Sequence, residues 1–232
     1  MKWDNNIIGS LAWGKDITCK EEKEKVAGRI AAMVKDGDVL GVGSGSTAYM
    51  ALLAIAARIR EEGLHVKAIP TSLEITMACA KLGIPVAHLE EYRPDWTFDG
   101  ADEIDPCLNL IKGRGGAMFR EKLLINSSSQ TYIVADSSKI VSRLGDKFPV
   151  PVEVFPQAIT YVGQALRELS PSGMNLRMAE KKDGPVITEN GNLILDVWFD
   201  HIPSDTEEAI KAITGVIESG LFIGYPVKII IG

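Results

Sequence analysis

Between Phe98 and Lys122 the chain reads FDGADEIDPCLNLIKGRGGAMFREK, a stretch that packs acids, bases and glycines together. Asp99, Asp102 and Asp105 recur every third residue around Gly100 and Ala101, with Glu103 among them. Lys112 follows the apolar Leu110 and Ile111 and leads into a turn of Gly113, Arg114, Gly115 and Gly116, after which come Arg120, Glu121 and Lys122. Glycines let backbone N–H groups approach a ligand closely and adopt φ > 0, so a lysine ahead of such a turn can face an anionic oxygen. Carboxylates supply proton acceptors. Together these groups suit proton transfer next to a carbonyl, with a carboxylate taking the proton and a cation or amide stabilising the oxyanion. That chemistry requires no metal.

Two plainer readings compete for the acids. A solvated acidic turn has this composition, and so has a metal loop. The i, i+3, i+6 spacing of Asp99, Asp102 and Asp105 differs from the alternating ligands of an EF-hand and lacks its distal glutamate. The histidines, His65, His88 and His201, lie outside every motif, so a histidine base is not expected.

A second candidate site lies upstream. Val39–Val42 reads as a short buried strand that runs into Gly43, Ser44, Gly45, Ser46 and Thr47 and then an alanine- and leucine-rich helix ending near Gly63. A strand, glycine loop, helix junction aims free N–H groups and the positive end of a helix dipole at one point, which makes an anion site. A dinucleotide fingerprint beginning at Gly41 fails at Ser46, and no Gly-Lys pair precedes a hydroxyl residue as a P-loop needs. Hydroxyls at 44, 46 and 47 suit a phosphate monoester, the other reading being a plain helix N-cap.

The rest of the chain must position these groups. Its 232 residues can bury a substantial core, and 46% hydrophobic with 24% charged residues lies near the globular averages. A formal charge of −6 and a pI near 5.2 argue against a nucleic-acid surface while leaving room for a small anionic substrate. Cys19, Cys79 and Cys107 are odd in number and have no CxxC spacing, which fits a reducing cytoplasm. The opening MKWDNNIIGSLAWGKD is too acidic, with too short an apolar run, for a secretory signal, and reads as an extension packed on the body or frayed.

Strands and helices alternate from there. Thr18 and Glu21 form a capping box before Val26, Ile30, Met33 and Val34 at helical spacing. A strand is expected over His65–Pro70, a helix from Ser72 to Gly83, a third apolar segment over Pro85–His88 and a short strand Trp96–Phe98 that delivers Asp99. A helix over 117–126 carries Glu121 near its start, and strand Thr131–Ala135 exits into Asp136, Ser137, Ser138 and Lys139. From Phe148 the pattern becomes strand (Val150–Phe155), helix (Pro156–Leu169), strand (Met174–Met178) and a hairpin over Pro185–Phe199 turning at Glu189–Gly191. Ser204 and Glu207 form another capping box, for a helix ending at Gly215, and Val227–Ile231 reads as a last strand.

With these segments placed, the sequence resembles ribose-5-phosphate isomerase type A from about residue 20 onward. GVGSGSTA at 41–48, DGADEID at 99–105, KGRGGAMFREK at 112–122, ADSSK at 135–139, FPVPVEV at 148–154 and ENGNLILDV at 189–197 match in order and spacing. The resemblance implies interconversion of D-ribose 5-phosphate and D-ribulose 5-phosphate through an enediol in the pentose phosphate pathway, without a cofactor. It implies that Glu121 is the base and that Asp99 and Lys112 serve ring opening and polarisation of the C1 and C2 oxygens, with Asp102 a further acid of the pocket. Ser44, Gly45, Ser46, Thr47, Gly100, Ala101, Gly113, Arg114, Gly115, Lys139 and, by a looser match, Lys23 are implied as substrate-binding. Arg114 stands where the family commonly has glycine and Ser44 where threonine is common. A sugar-phosphate-sensing module without catalysis is the alternative; it explains the Gly43 loop but not Lys112 and Glu121 beside paired aspartates.

The expected architecture is α/β: a Rossmann-like parallel sheet flanked by helices, residues 1–145 with 201–232, and a smaller α+β, ferredoxin-like insertion, residues 146–200, serving as lid or oligomerisation domain. The resemblance suggests a homodimer or homotetramer, with Phe148–Phe155 and Leu193–Phe199 as candidate contact segments. No nucleic-acid or membrane partner is expected.

Overall fold

The computed structural model describes residues 7–11 and 17–232. The expected N-terminal extension falls largely outside these residues; within them, Ile7–Ser10 form a single 3-10 turn. In chain order the elements are α1 (Lys20–Met33), β1 (Val39–Val42), α2 (Ser46–Glu62), β2 (Lys67–Pro70), α3 (Leu73–Leu82), β3 (Trp96–Asp99), β4 (Glu103–Ile104), β5 (Leu110–Ile111) and α4 (Met118–Ser127). They continue with β6 (Thr131–Ala135), β7 (Val150–Val154), α5 (Ile159–Arg167), β8 (Gly173–Leu176), β9 (Leu193–Trp198), α6 (Thr206–Lys211), β10 (Val216–Ser219), β11 (Leu221–Phe222) and β12 (Val227–Ile231).

The chain divides into two compact units, one of Met1–Gly100, Leu124–Ser137 and Val227–Gly232, the other of Ala101–Leu123 and Ser138–Pro226. The first holds a five-stranded sheet in the order β12-β6-β3-β1-β2, every neighbouring pair parallel. Helical periodicity puts Val26 and Ile30 of α1 and Ala51, Leu52 and Ile55 of α2 in one core with Leu40, Val42, Phe98 and Val134 of the strands. Burying both sides of such strands explains their unbroken apolar runs. Ser72 caps α3 by accepting the Ile75 N–H, and Gly63 and Gly83 end α2 and α3 in the left-handed region that glycine adopts without strain. β1 leads through α2 to β2 on one side, while β3 lies on its other side, so strand order reverses between β1 and β3. Open α/β sheets bind ligands at the carboxyl ends of strands at such a reversal.

The second unit contains a four-stranded antiparallel sheet in the order β10-β7-β9-β8 and a three-stranded one in the order β11-β5-β4. From β7 to β10 the elements run β-α-β-β-α-β, the ferredoxin-like plan. Its core joins Val150, Val152 and Val154 to Leu195, Val197, Val162, Leu166 and Ile210. The plan closes only when α6 and β10 are included, because β10 pairs with β7. The unit therefore runs to Pro226, whereas the sequence placed the boundary at residue 200, and it also takes in 101–123 because β11 pairs with β5.

Several local expectations are corrected. α1 begins at Lys20 with Cys19 at its N-cap in a left-handed conformation and no side-chain cap, so the Thr18 box does not form. α6 begins at Thr206 behind Asp205, again without a side-chain cap, because the Glu207 carboxylate is bonded to Lys122, the Ile223 N–H and Tyr225 instead. Pro85–His88 contributes only a bridge from Val86 to Ala68. Of the 185–199 hairpin only β9 is a strand, although the turn is present, closed by the Thr188 N–H on the Asn192 carbonyl. β7 is buried along its whole length and β9 buries Ile194, Leu195 and Val197, so these segments build the core; Phe155 and Trp198 are their exposed large residues.

Candidate active site

In the first unit the polar candidates meet at the carboxyl edge of the sheet. β1 ends at Val42 and gives way to Gly43, while β3 ends at Asp99 beside it, the Gly43 N–H donating to the Phe98 carbonyl at 2.9 Å. A β-carbon at Gly43 would overlap the Asp99 carboxylate, so only glycine permits this approach. Asp99 is 1% exposed and its Oδ1 accepts the Gly100 N–H at 2.7 Å. Gly45, at φ 102, is the N-cap of α2, and the helix ladder begins with the Tyr49 N–H on the Gly45 carbonyl. The amides of Ser46, Thr47 and Ala48 thus lie in the first turn, where the helix dipole favours an anion. Ser44 Oγ lies 2.8 Å from Thr71 Oγ1 at the end of β2. Lys23, buried on α1, donates to Ser46 Oγ at 3.1 Å and lies 3.5 Å from Asp136 Oδ2. The structure thereby groups Lys23, Ser44, Gly45, Ser46, Thr47, Asp99 and Gly100, and adds Asp136, which follows the end of β6.

In the second unit Lys112, Glu121, Asp102 and the glycine turn come together. Lys112 follows β5, its N–H held by the Gly220 carbonyl at 2.9 Å, and its ammonium lies 3.2 Å from Glu121 Oε2 with both side chains almost fully enclosed. Glu121 is reached through the first turn of α4, which the Gly113–Gly116 turn feeds. Gly113 adopts φ 100, a value that lets the chain reverse directly after Lys112. The half-buried Asp102 accepts the Arg114 N–H at 3.1 Å, while its own N–H binds the Ile111 carbonyl at 2.8 Å. The exposed Arg114 lays its guanidinium 5.8 Å from the centre of the Phe148 ring, and Lys139 sits 5.6 Å from the same ring. Ala101 and Gly115 flank these groups on the chain.

The two remaining acids of the DGADEID run have structural work. Glu103, fully buried, accepts the N–H groups of Gly145, Lys147 and Phe148 at 2.6 to 2.7 Å. Asp105 closes a local turn on the N–H groups of Cys107 and Asn109. The solvated-turn reading thus fits Asp105, and among the described residues no cluster of acids, histidines and cysteines forms a metal site. Lys122, next to Glu121, turns to another partner set: Glu207 and Glu218 carboxylates at 2.6 and 3.0 Å and the carbonyls of Ser219 and Leu221. No spacing in the sequence announces that network.

Chemically, the arrangement offers a carboxylate and an ammonium in contact and shielded from water, where their attraction is stronger than in solvent. The chain thus holds a glycine loop at a helix N-terminus and, separately, an enclosed carboxylate–ammonium pair.

Comparison with known proteins agrees with this chemistry. Residues 67–232 match the family described as ribose 5-phosphate isomerase A (phosphoriboisomerase A). The chain is 46% identical to ribose-5-phosphate isomerase A of a Synechococcus species, over 90% of this chain and 92% of that protein. It is similar in structure to ribose 5-phosphate isomerase A from Methanocaldococcus jannaschii, with a TM-score of 0.87, 43% identity and coverage of 90% and 93% of the two chains. A D-ribose-5-phosphate isomerase solved in complex with phospho-erythronic acid gives a TM-score of 0.87 at 35% identity, covering 92% and 95%. Matched by the family over residues 67–232 and by these relatives over nine-tenths of its length, the chain belongs to the ribose 5-phosphate isomerase A family.

Proposed function

We propose that this chain interconverts D-ribose 5-phosphate and D-ribulose 5-phosphate, with Glu121 moving a proton between C2 and C1. The Glu121 carboxylate takes the proton from C2 of the open aldose, the electron pair forms the C1–C2 double bond of an enediolate, and the proton returns at C1. Lys112 stabilises the negative oxygen, and proton exchange between O1 and O2 completes the ketose. Asp99, with Lys112, serves ring opening and polarisation of the C1 and C2 oxygens, and Asp102 is a further acid of the substrate pocket. The first-turn amides of α2, with Ser44, Gly45, Ser46, Thr47 and Lys23, take the phosphate, and Gly100, Ala101, Gly113, Arg114, Gly115 and Lys139 are further substrate contacts. No step calls for a cofactor.

The observation that carries this reading is the buried Lys112–Glu121 contact at 3.2 Å in a chain of this family. A sensing module has no use for such a pair, which is why catalysis is preferred to binding alone. The phospho-erythronic acid in one relative's structure has a planar carboxylate resembling an enediolate, as expected of a reaction-intermediate mimic. Glu121→Gln keeps the shape of the side chain but removes the base. We expect it to lower kcat by about 10²–10⁴-fold while calorimetry still shows phospho-erythronic acid binding. Wild-type-like turnover by Glu121→Gln would remove this residue from the mechanism.

We also infer a cytoplasmic homodimer or homotetramer. No described helix is long and apolar enough to cross a membrane. A monomeric mass by light scattering at assay concentrations would exclude that assembly.

A further inference from the structure

The β10-β7-β9-β8 sheet turns Leu195 and Val197 into its apolar core, so alternation puts Asp196 on the opposite face. Arg177 extends β8 by one residue, its N–H bonded to the Ile194 carbonyl at 2.9 Å. Its guanidinium grips Asp196 with two bonds, Nε to Oδ2 at 2.8 Å and Nη2 to Oδ1. The remaining Nη1 donates to the carbonyls of Gly113 and Arg114, at 2.9 and 3.0 Å. These carbonyls belong to two successive peptide units of the turn that follows Lys112.

In a trans peptide the C=O and N–H point in opposite directions. Drawing the Gly113 carbonyl onto Arg177 therefore sends the Arg114 N–H the other way, where it meets Asp102 Oδ2 at 3.1 Å. The Arg114 carbonyl likewise sends the Gly115 N–H away from Arg177. A planar guanidinium can satisfy a carboxylate and two carbonyls at once, which a single ammonium cannot do in the same geometry.

We propose that Arg177, braced by Asp196, is a positioning residue for the isomerisation. It fixes the two peptide units after Lys112 so that the Arg114 N–H stays on Asp102, while the Gly115 N–H and the Lys112 side chain hold one orientation toward the reacting sugar oxygens. The proposal rests on the isomerase reading. It adds a residue outside every motif that carries the family resemblance, one whose guanidinium bonds go to Asp196 and the Gly113 and Arg114 carbonyls.

The test begins with wild-type protein and ribose 5-phosphate, where no conversion at all would mean failure of the isomerase reading itself. Given wild-type conversion, Arg177→Ala and Arg177→Lys are compared. A slack turn misplaces Lys112, and a displacement near 1 Å costs about 10²-fold in rate. We expect that loss in kcat for Arg177→Ala, with KM moving by less than about threefold because uniform binding is retained. Guanidinium ion, added well below unfolding concentrations, should restore part of kcat without changing the circular dichroism spectrum. Should Arg177→Ala fail to fold, Arg177→Lys carries the test, with a kcat loss of about tenfold in a protein of unchanged melting temperature. A soluble variant with kcat within about twofold of wild type overturns the proposal. So does a loss in Arg177→Ala that guanidinium leaves untouched.

Discussion

The two units bury charge in different ways. In the first, Lys23, Asp99 and Asp136 gather at the carboxyl edge of a parallel sheet, beside the hydroxyls and amides of the Gly43–Thr47 loop. In the second, Glu103, Lys112, Glu121, Lys122, Glu153 and Glu218 are buried among short antiparallel strands and the start of α4. An edge loop can be built around an apolar core that folds without it. Charges enclosed by the strands themselves must be satisfied before those strands can pack, since an uncompensated buried ion is among the costliest defects a fold can carry. The second unit should accordingly be the more easily broken by single changes and by acid.

Lys122→Met is the sharpest way to test this. It leaves Glu207 and Glu218 facing each other's surroundings without the ammonium that joins them, and we expect a loss of about 3–5 kcal/mol in stability, read by denaturant unfolding. A loss below about 1 kcal/mol, the range of exposed pairs, would erase the contrast between the units.

Gly43→Ala probes the first unit. The added methyl overlaps the Asp99 carboxylate, which must shift. Overpacking of this kind costs about 1–3 kcal/mol, whereas displacing Asp99 from the sugar contact proposed for it should lower kcat/KM by about 10²-fold. Activity should thus suffer more than stability, the reverse of Lys122→Met. Wild-type kcat/KM in this variant would detach the loop from the reaction.

The mildest effect is that of pH on Glu218. Burial opposes its charge, yet the Lys122 ammonium, hydrogen bonds from Lys211 and Lys122 and the Ser219 N–H hold its carboxyl below the ordinary 4.5. A carboxyl depressed in the folded state binds fewer protons than in the unfolded one. Its stabilisation is complete above the unfolded value and is lost as pH falls through the folded one. Denaturation midpoints should therefore drop on acidification below about 4.5, and less steeply in Glu218→Gln. Parallel curves for both proteins would assign acid sensitivity elsewhere.

The same contrast governs what the sequence could reveal. The first unit is written locally: each strand, turn and helix follows the last, and the Gly43 loop is contiguous, so most of its elements were readable from spacing. Lys112 and Glu121 were readable too, lying nine positions apart within one motif. Lys122, by contrast, finds its partners 85 to 99 positions downstream, and Asp136 meets Lys23 across most of the first unit. Side chains committed to such distant contacts also misled local rules, as when Glu207 left its capping box for Lys122. The fold boundary at residue 200 failed for the same reason, because β10 and β11 declare themselves only through strands far behind them.

Lys112 hangs by its backbone from Gly220, and Leu110 and Ile111 pair with Phe222 and Leu221. A nascent polypeptide in which both the lysine and the glutamate have already emerged still lacks the strand from which one of them is suspended. Turnover should switch on only after Gly220–Phe222 have left the ribosome, and ribosome-stalled chains of graded length, assayed for ribulose 5-phosphate, would reveal whether that threshold exists.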